Sequence, residues 1–133
     1  MKKLAWMMAF GLGCTAHAEG PKPYQLKTAK VTAKVGVASK ATLKIETAPG
    51  SHVSAEAPLK IVLKGTDGLT LVKEKLVTED IVEGKGASPS FELPFKADKA
   101  GPKTIDATLT FIVCTKELCE RESDTVSIPV DVQ

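Results

Sequence analysis

Past its first eighteen residues the chain has no tryptophan and no methionine. It keeps one histidine, His52, and four aromatic rings, Tyr24, Phe91, Phe95 and Phe111. A histidine-rich metal site and a methionine-lined copper site are therefore excluded, and no metal or cofactor is expected. So few rings leave no stacking platform for sugars or bases. There is no glycine-rich phosphate loop and no nucleophile-elbow serine. The carboxylates Glu79, Asp80 and Glu83 fall on outward or loop positions, where solvation explains them without acid/base chemistry. Beyond residue 18 no apolar run approaches the roughly 20 residues that a membrane helix needs.

What is present begins with an export signal. Lys2 and Lys3 precede the apolar stretch Leu4 to Leu12 (LAWMMAFGL), and Ala16-His17-Ala18 is a small-residue cleavage site. Cleavage between Ala18 and Glu19 would release residues 19–133 to the periplasm, with 19–26 as an extended leader and 27–133 as one domain. A second reading stays open. Leu12-Gly13-Cys14 resembles the end of a lipoprotein signal, in which Cys14 would carry the lipid and tie the protein to a membrane.

Loss of residues 1–18 removes Lys2 and Lys3 and leaves 16 basic against 16 acidic side chains. Neutrality withdraws the electrostatic case for nucleic acid or an anionic membrane surface. The charges are unevenly spread: residues 19–60 hold seven lysines against three glutamates, and residues 104–133 hold Lys116 and Arg121 against six carboxylates. Two sheet edges of opposite sign that attract each other in the fold account for this.

Apolar and polar side chains alternate, the period of strands covered on one face. Val31, Ala33, Val35 and Val37 form one row and Ala41, Leu43 and Ile45 a second, read as adjacent antiparallel strands. Pro49 to Pro58 has no clean period and reads as a long connection. Leu59, Ile61 and Leu63 give another strand, followed by the Asp67-Gly68 turn and by Leu69 and Leu71. Leu76 to Ser88 is polar and glycine-containing enough to read as a mobile loop. Phe91, Leu93 and Phe95 follow, with Pro94 suggesting an edge or a bulge. The longest strand carries Ile105, Ala107, Leu109, Phe111 and Val113, and the last carries Val126, Ile128, Val130 and Val132. Seven to eight short strands predict an all-β, immunoglobulin-like antiparallel sandwich.

Cys114 and Cys119 are the only cysteines left for an oxidising compartment, and Thr115 to Leu118 between them has the length of a hairpin loop. The pair is expected as a disulfide across the ladder. The odd-numbered core row places Cys114 on the opposite face with Ile112. A bridge closing so short a loop stabilises by ~2 kcal/mol, against ~4 for a loop of about sixty residues. It is therefore a weak staple, and these residues leave a structural and an exchangeable disulfide equally open. Glu117, Glu120 and Glu122 outnumber Lys116 and Arg121 nearby, which favours neutral thiols.

Phe91 to Phe95 (FELPF), Lys99-Ala100-Gly101, Thr108 to Cys114 (TLTFIVC), Cys119 and Val126 to Val130 (VSIPV) together resemble the N-terminal periplasmic domain of the thiol:disulfide interchange protein DsbD. The likeness runs over about residues 49–133. It implies an immunoglobulin-like fold whose cysteine pair, here Cys114 and Cys119, relays electrons between a membrane donor and thioredoxin-like envelope proteins. It casts Cys119 as the residue that forms mixed disulfides, and Leu76 to Ser88 as the cap over the pair. This segment lacks the family's aromatic cap residues, and Glu120-Arg121-Glu122 replaces an aromatic-proline continuation.

Two functions follow as expectations. One is a thiol:disulfide exchange domain, a component of protein-disulfide reduction with a redox-active pair. The alternative is a non-catalytic secreted binding or assembly module whose disulfide only holds a hairpin.

Overall fold

The computed structural model describes residues 22–133. Ala18, Glu19 and Cys14, and with them the signal and lipidation readings, lie outside the described residues. Two sheets form the sandwich. The first contains β1 (Tyr24–Thr28), β3 (Ala38–Thr47), β9 (Ser90–Ala97), β6 (Leu69–Leu71) and β8 (Ile81–Glu83). The second contains β2 (Val31–Ala33), β11 (Cys119–Val132), β10 (Gly101–Cys114), β5 (Lys60–Gly65), β7 (Lys75–Val77) and β4 (His52–Val53). The fold is the all-β, immunoglobulin-like sandwich that the alternation predicts. The strand count rises to eleven because β2, β4, β6, β7 and β8 are pieces of two or three residues.

The core lies between the facing rows. Ala41, Leu43, Ile45, Phe91, Leu93 and Phe95 come from the first sheet, and Ile61, Ile105, Leu109, Phe111 and Ile128 from the second; all are essentially inaccessible. One pairing departs from the antiparallel rule, because β2 runs parallel to the end of β11, from Val31↔Val130 to Ala33↔Val132.

Several sequence expectations change. Val31 to Val37 and Ala41 to Ile45 do not form neighbouring strands: β2 joins the second sheet and β3 the first, with a turn at Gly36 between them. Val35 and Val37 are accordingly exposed. The sandwich begins at Tyr24, inside the stretch read as leader, because β1 pairs along β3 from Tyr24↔Thr47 to Thr28↔Leu43. Strand β9 is interior, not an edge. Pro94 fits there because it lies between the residues paired with β6 (95–97) and those paired with β8 (90–91), and it contributes only its carbonyl, which accepts from the Val72 N–H at 3.1 Å.

Leu76 to Ser88 is not a structureless loop. Leu76 is buried in β7, beside β5 in the second sheet; a 3-10 turn (Thr78–Asp80) then carries the chain to β8 in the first sheet. The Asp80 carboxylate anchors the crossing by accepting from the Val77 N–H at 2.8 Å and from Lys73. The segment closes on a tight turn in which the Ala87 N–H donates to the Gly84 carbonyl. Gly84 is obligatory, since its φ is +77° and a Cβ would lie 2.0 Å from the Ser88 oxygen. Pro49 to Pro58 likewise contains β4, which pairs with the end of β10.

Candidate functional site

The site is the tip of the β10–β11 hairpin. Its register is unbroken from Gly101↔Val132 to Cys114↔Cys119. Beyond the last rung the Thr115 N–H donates to the Leu118 carbonyl at 2.8 Å, so Thr115 and Leu118 are a hydrogen-bonded pair. Alternation along an antiparallel ladder then makes Cys114/Cys119 a non-hydrogen-bonded pair, the rung on which facing side chains lie closest. Both prolines of the hairpin obey the same alternation: Pro102, and Pro129 opposite Thr104, occupy rungs whose nitrogens point away from the partner strand.

A bridge joins Cys114 and Cys119, with their Cα atoms 3.9 Å apart. The hydroxyl of Thr115 braces the turn outside it, donating to the Leu118 carbonyl and accepting from the N–H groups of Glu117 and Leu118 at 3.2–3.3 Å. Cys114 is 7% exposed, yet it is not part of the apolar cluster between the sheets. It points to the outer face with Ile112, as its parity requires, while Val113 points inward. Cys119 is exposed.

Two depressions flank the bridge. One, of about 330 Å³, is bounded by Pro58, Lys60, Ile112 and Arg121 on the outer face. The other, of about 620 Å³, lies between Pro49 to Ser51 and the hairpin turn at Thr115 to Glu117. The Leu76 to Ser88 segment does not cap the pair in this arrangement. It reaches β4, where Ala87 accepts from the Val53 N–H, and β4 in turn borders Cys114.

The inner face of the tip carries a second constellation that alternation in the sequence did not suggest. Strand β11 starts at Cys119 rather than near Val126, so Glu120, Glu122 and Asp124 share the inward row with Ile128 and Val130. Asp124 accepts from the buried Tyr24 hydroxyl at 3.1 Å, from the Thr125 N–H at 2.9 Å, and from Lys22 at 3.4 Å. Burial works against the Asp124 carboxylate but is outweighed by these hydrogen bonds and the lysine charge, and its pKa is lowered. The Tyr24 phenol is driven strongly upward by burial, then by its bond to Asp124 and the charges of Asp124 and Glu122. The ring of Tyr24 meets Phe111 edge-on at 4.9 Å. Lys22 and Asp124 thus join the basic and acidic ends of the chain across the two sheets.

Among the described residues no three His, Cys, Asp or Glu side chains gather as metal ligands, and no helix is long and apolar enough to cross a membrane. The fold nevertheless brings His52 of β4 opposite Cys114, out of the long connection that Pro49 to Pro58 suggests in the sequence.

No family model matches the chain, and no curated protein matches it either. The resemblance to the DsbD domain therefore finds no support in either comparison. Among solved structures, trypsin-activated alpha-2-macroglobulin from Escherichia coli is similar in fold, with a TM-score of 0.52 at 18% identity, over 82% of this chain and 7% of that one. The native conformation of the E. coli alpha-2-macroglobulin gives 0.48 at 18% identity, over 82% of this chain and 6% of that one. A C. elegans MSP family member gives 0.45 at 7% identity, over 85% and 100%. The present chain thus spans a small fraction of the macroglobulin's length, and at such identity the likeness is one of fold alone.

Proposed function

We propose that this chain is a secreted immunoglobulin-like binding or assembly module of the bacterial envelope, in which Cys114–Cys119 pins the end of the β10–β11 hairpin. The observation that carries this reading is the continuous ladder of β10 and β11, with the bridge as its last rung and the Thr115 turn bracing it from outside. Such a bridge fixes the shape of a tip that would otherwise fray, and no acid/base pair or cofactor is required of the module. The test is the reduction potential of the pair, measured in glutathione or dithiothreitol buffers on residues 19–133. A structural bridge gives a value below about −300 mV and slow reduction. A value well above it would overturn this reading.

One observation favours a second reading, thiol:disulfide exchange as in the DsbD domain. The bridge lies off the core, and Cys119 is open to a thiolate arriving from solvent. Its partners would be thioredoxin-like envelope proteins or a separate membrane electron donor. A mixed disulfide trapped on Cys114→Ser with an envelope protein would support it; no adduct with any such protein would sink it.

A further inference from the structure

Strand β11 has two edges, and only one is filled. β10 covers the first along its whole length, from Gly101↔Val132 to Cys114↔Cys119, while β2 covers the second only at Val130 to Val132. The rungs that Cys119, Arg121, Ser123, Thr125, Ser127 and Pro129 share with β10 are the non-hydrogen-bonded ones, so their backbone polar groups point to the open side. Two of these positions are already blunted: the Thr125 N–H donates to the Asp124 carboxylate at 2.9 Å, and Pro129 has no N–H to offer. Cys119, Arg121 and Ser123 are exposed and carry no such device. Among the described residues nothing pairs with this stretch, which leaves a template for one more strand, end to end with β2.

The side chains beside that stretch select what can fill it. Glu120 and Glu122 alternate with the open rungs on the inward face, opposite Val113 and Phe111, about 6–7 Å apart along the strand. Neither has a lysine or arginine partner among the described residues. Further along the same row Asp124 does: Lys22, just ahead of β1 in the first sheet, meets it at 3.4 Å. Where a neighbouring segment reaches this row, the row takes a cation. The same edge of a second copy would set carboxylate against carboxylate, and an apolar strand would desolvate Glu122, already half-buried, without pairing it. On the outward face the row is Cys119, Arg121 and Ser123, where a further cation would meet Arg121.

We propose that β11 from Cys119 to Ser123 is the docking edge of the binding module, a proposal that rests on that reading, and that its occupant is an extended segment of a partner protein. The segment carries lysine or arginine at every second residue and small uncharged side chains between them. It adds to the second sheet as a strand. Its backbone bonds to the N–H and C=O groups of Cys119, Arg121 and Ser123, its basic row meets Glu120 and Glu122, and its uncharged row passes Arg121. The bridge serves this contact by holding Cys119 on the ladder, so that the edge is formed before the partner arrives and less order is lost on binding.

The probe is the peptide Ac-Lys-Thr-Lys-Thr-Lys-Thr-Lys-NH2, titrated into isotope-labelled protein and followed by amide shifts and hydrogen exchange. Binding with a Kd below about 1 mM is expected. At saturation the Arg121 and Ser123 amides should exchange about tenfold more slowly or less, while those of Glu120 and Glu122, which face β10, keep their rates. Glu120→Gln/Glu122→Gln should weaken the peptide about tenfold. Ser123→Pro should abolish binding with the fold kept, because position 123, like Pro129, turns its nitrogen away from β10. Two further peptides are N-methylated, one at the threonines and one at the lysines; methylation of the row that faces β11 should abolish binding. If both bind as the parent does, the contact is charge attraction alone and the added strand is overturned. A protein dimer whose Arg121 and Ser123 amides are protected without peptide assigns the edge to a second copy and overturns the proposal. No binding of any peptide overturns the docking edge and leaves the binding-module reading standing, since the reduction potential decides that separately.

Discussion

The root and the tip of the β10–β11 hairpin share one register but not one chemistry. At the root the inward rows are apolar on both strands, with Ile105 opposite Ile128 and Ala107 opposite Val126. At the tip β10 stays apolar through Phe111 and Val113, while β11 presents Glu122 and Glu120 opposite them. The difference follows from what lies beside β11. Its last residues, 130–132, are covered by β2, whereas among the described residues no strand pairs with its outer edge from Cys119 to Pro129. Inward-pointing charges on such an edge discourage pairing with another chain. On β11 the tip therefore relies on local devices, namely the bridge, the Thr115 turn and the Tyr24–Asp124 bond, where the root is buried on both strands.

The largest effect should come from breaking the root. Ile128 is completely buried, and Ile128→Ala is expected to cost about 2–5 kcal/mol through lost transfer energy and a cavity. Chemical denaturation should show a lower midpoint with an unchanged slope. The tip counterpart is milder: the Cys114→Ser/Cys119→Ser protein should lose about 2 kcal/mol, because the bridge closes a short loop. It should keep its β-sheet circular dichroism. If the double variant unfolds at room temperature, the tip is not the local device described here.

The same comparison shows how much was legible in the sequence. Period-2 alternation announces β10 along its length, Ile105 to Val113, and β11 at the root, Val126 to Val132, and with them the sandwich and the hairpin. At the tip, β11 from Cys119 to Thr125 has no apolar row, because its inward positions are Glu120, Glu122 and Asp124. A strand held by backbone pairing, a disulfide and polar bonds leaves no hydrophobic period to read. The bridge and its face were legible because they needed only parity and loop length. The approach of His52 to Cys114 was not, since a two-residue strand bounded by Gly50 and Pro58 carries no pattern of its own. Leu76 to Ser88 was misread for a related reason: it crosses from one sheet to the other, so its side chains change faces partway and no single alternation survives.

A smaller and sharper test concerns the contact that ties the acidic row to the first sheet. Tyr24→Phe keeps the ring on Phe111 and removes only the hydroxyl bonded to Asp124, and should cost about 1 kcal/mol at neutral pH. Asp124→Asn should cost a similar amount, since it removes the charge facing Lys22 and weakens the acceptor for Tyr24 and Thr125. Its pH dependence gives the sign. The folded pKa of Asp124 is lowered, so the carboxylate's contribution is complete above the unfolded value of about 4 and is lost as pH falls through the folded one. The stability gap between wild type and Asp124→Asn should therefore be constant from about pH 5 to 8 and close in acid. A gap that persists unchanged at about pH 2 would mean that packing of the asparagine, and not the charge of Asp124, sets the difference.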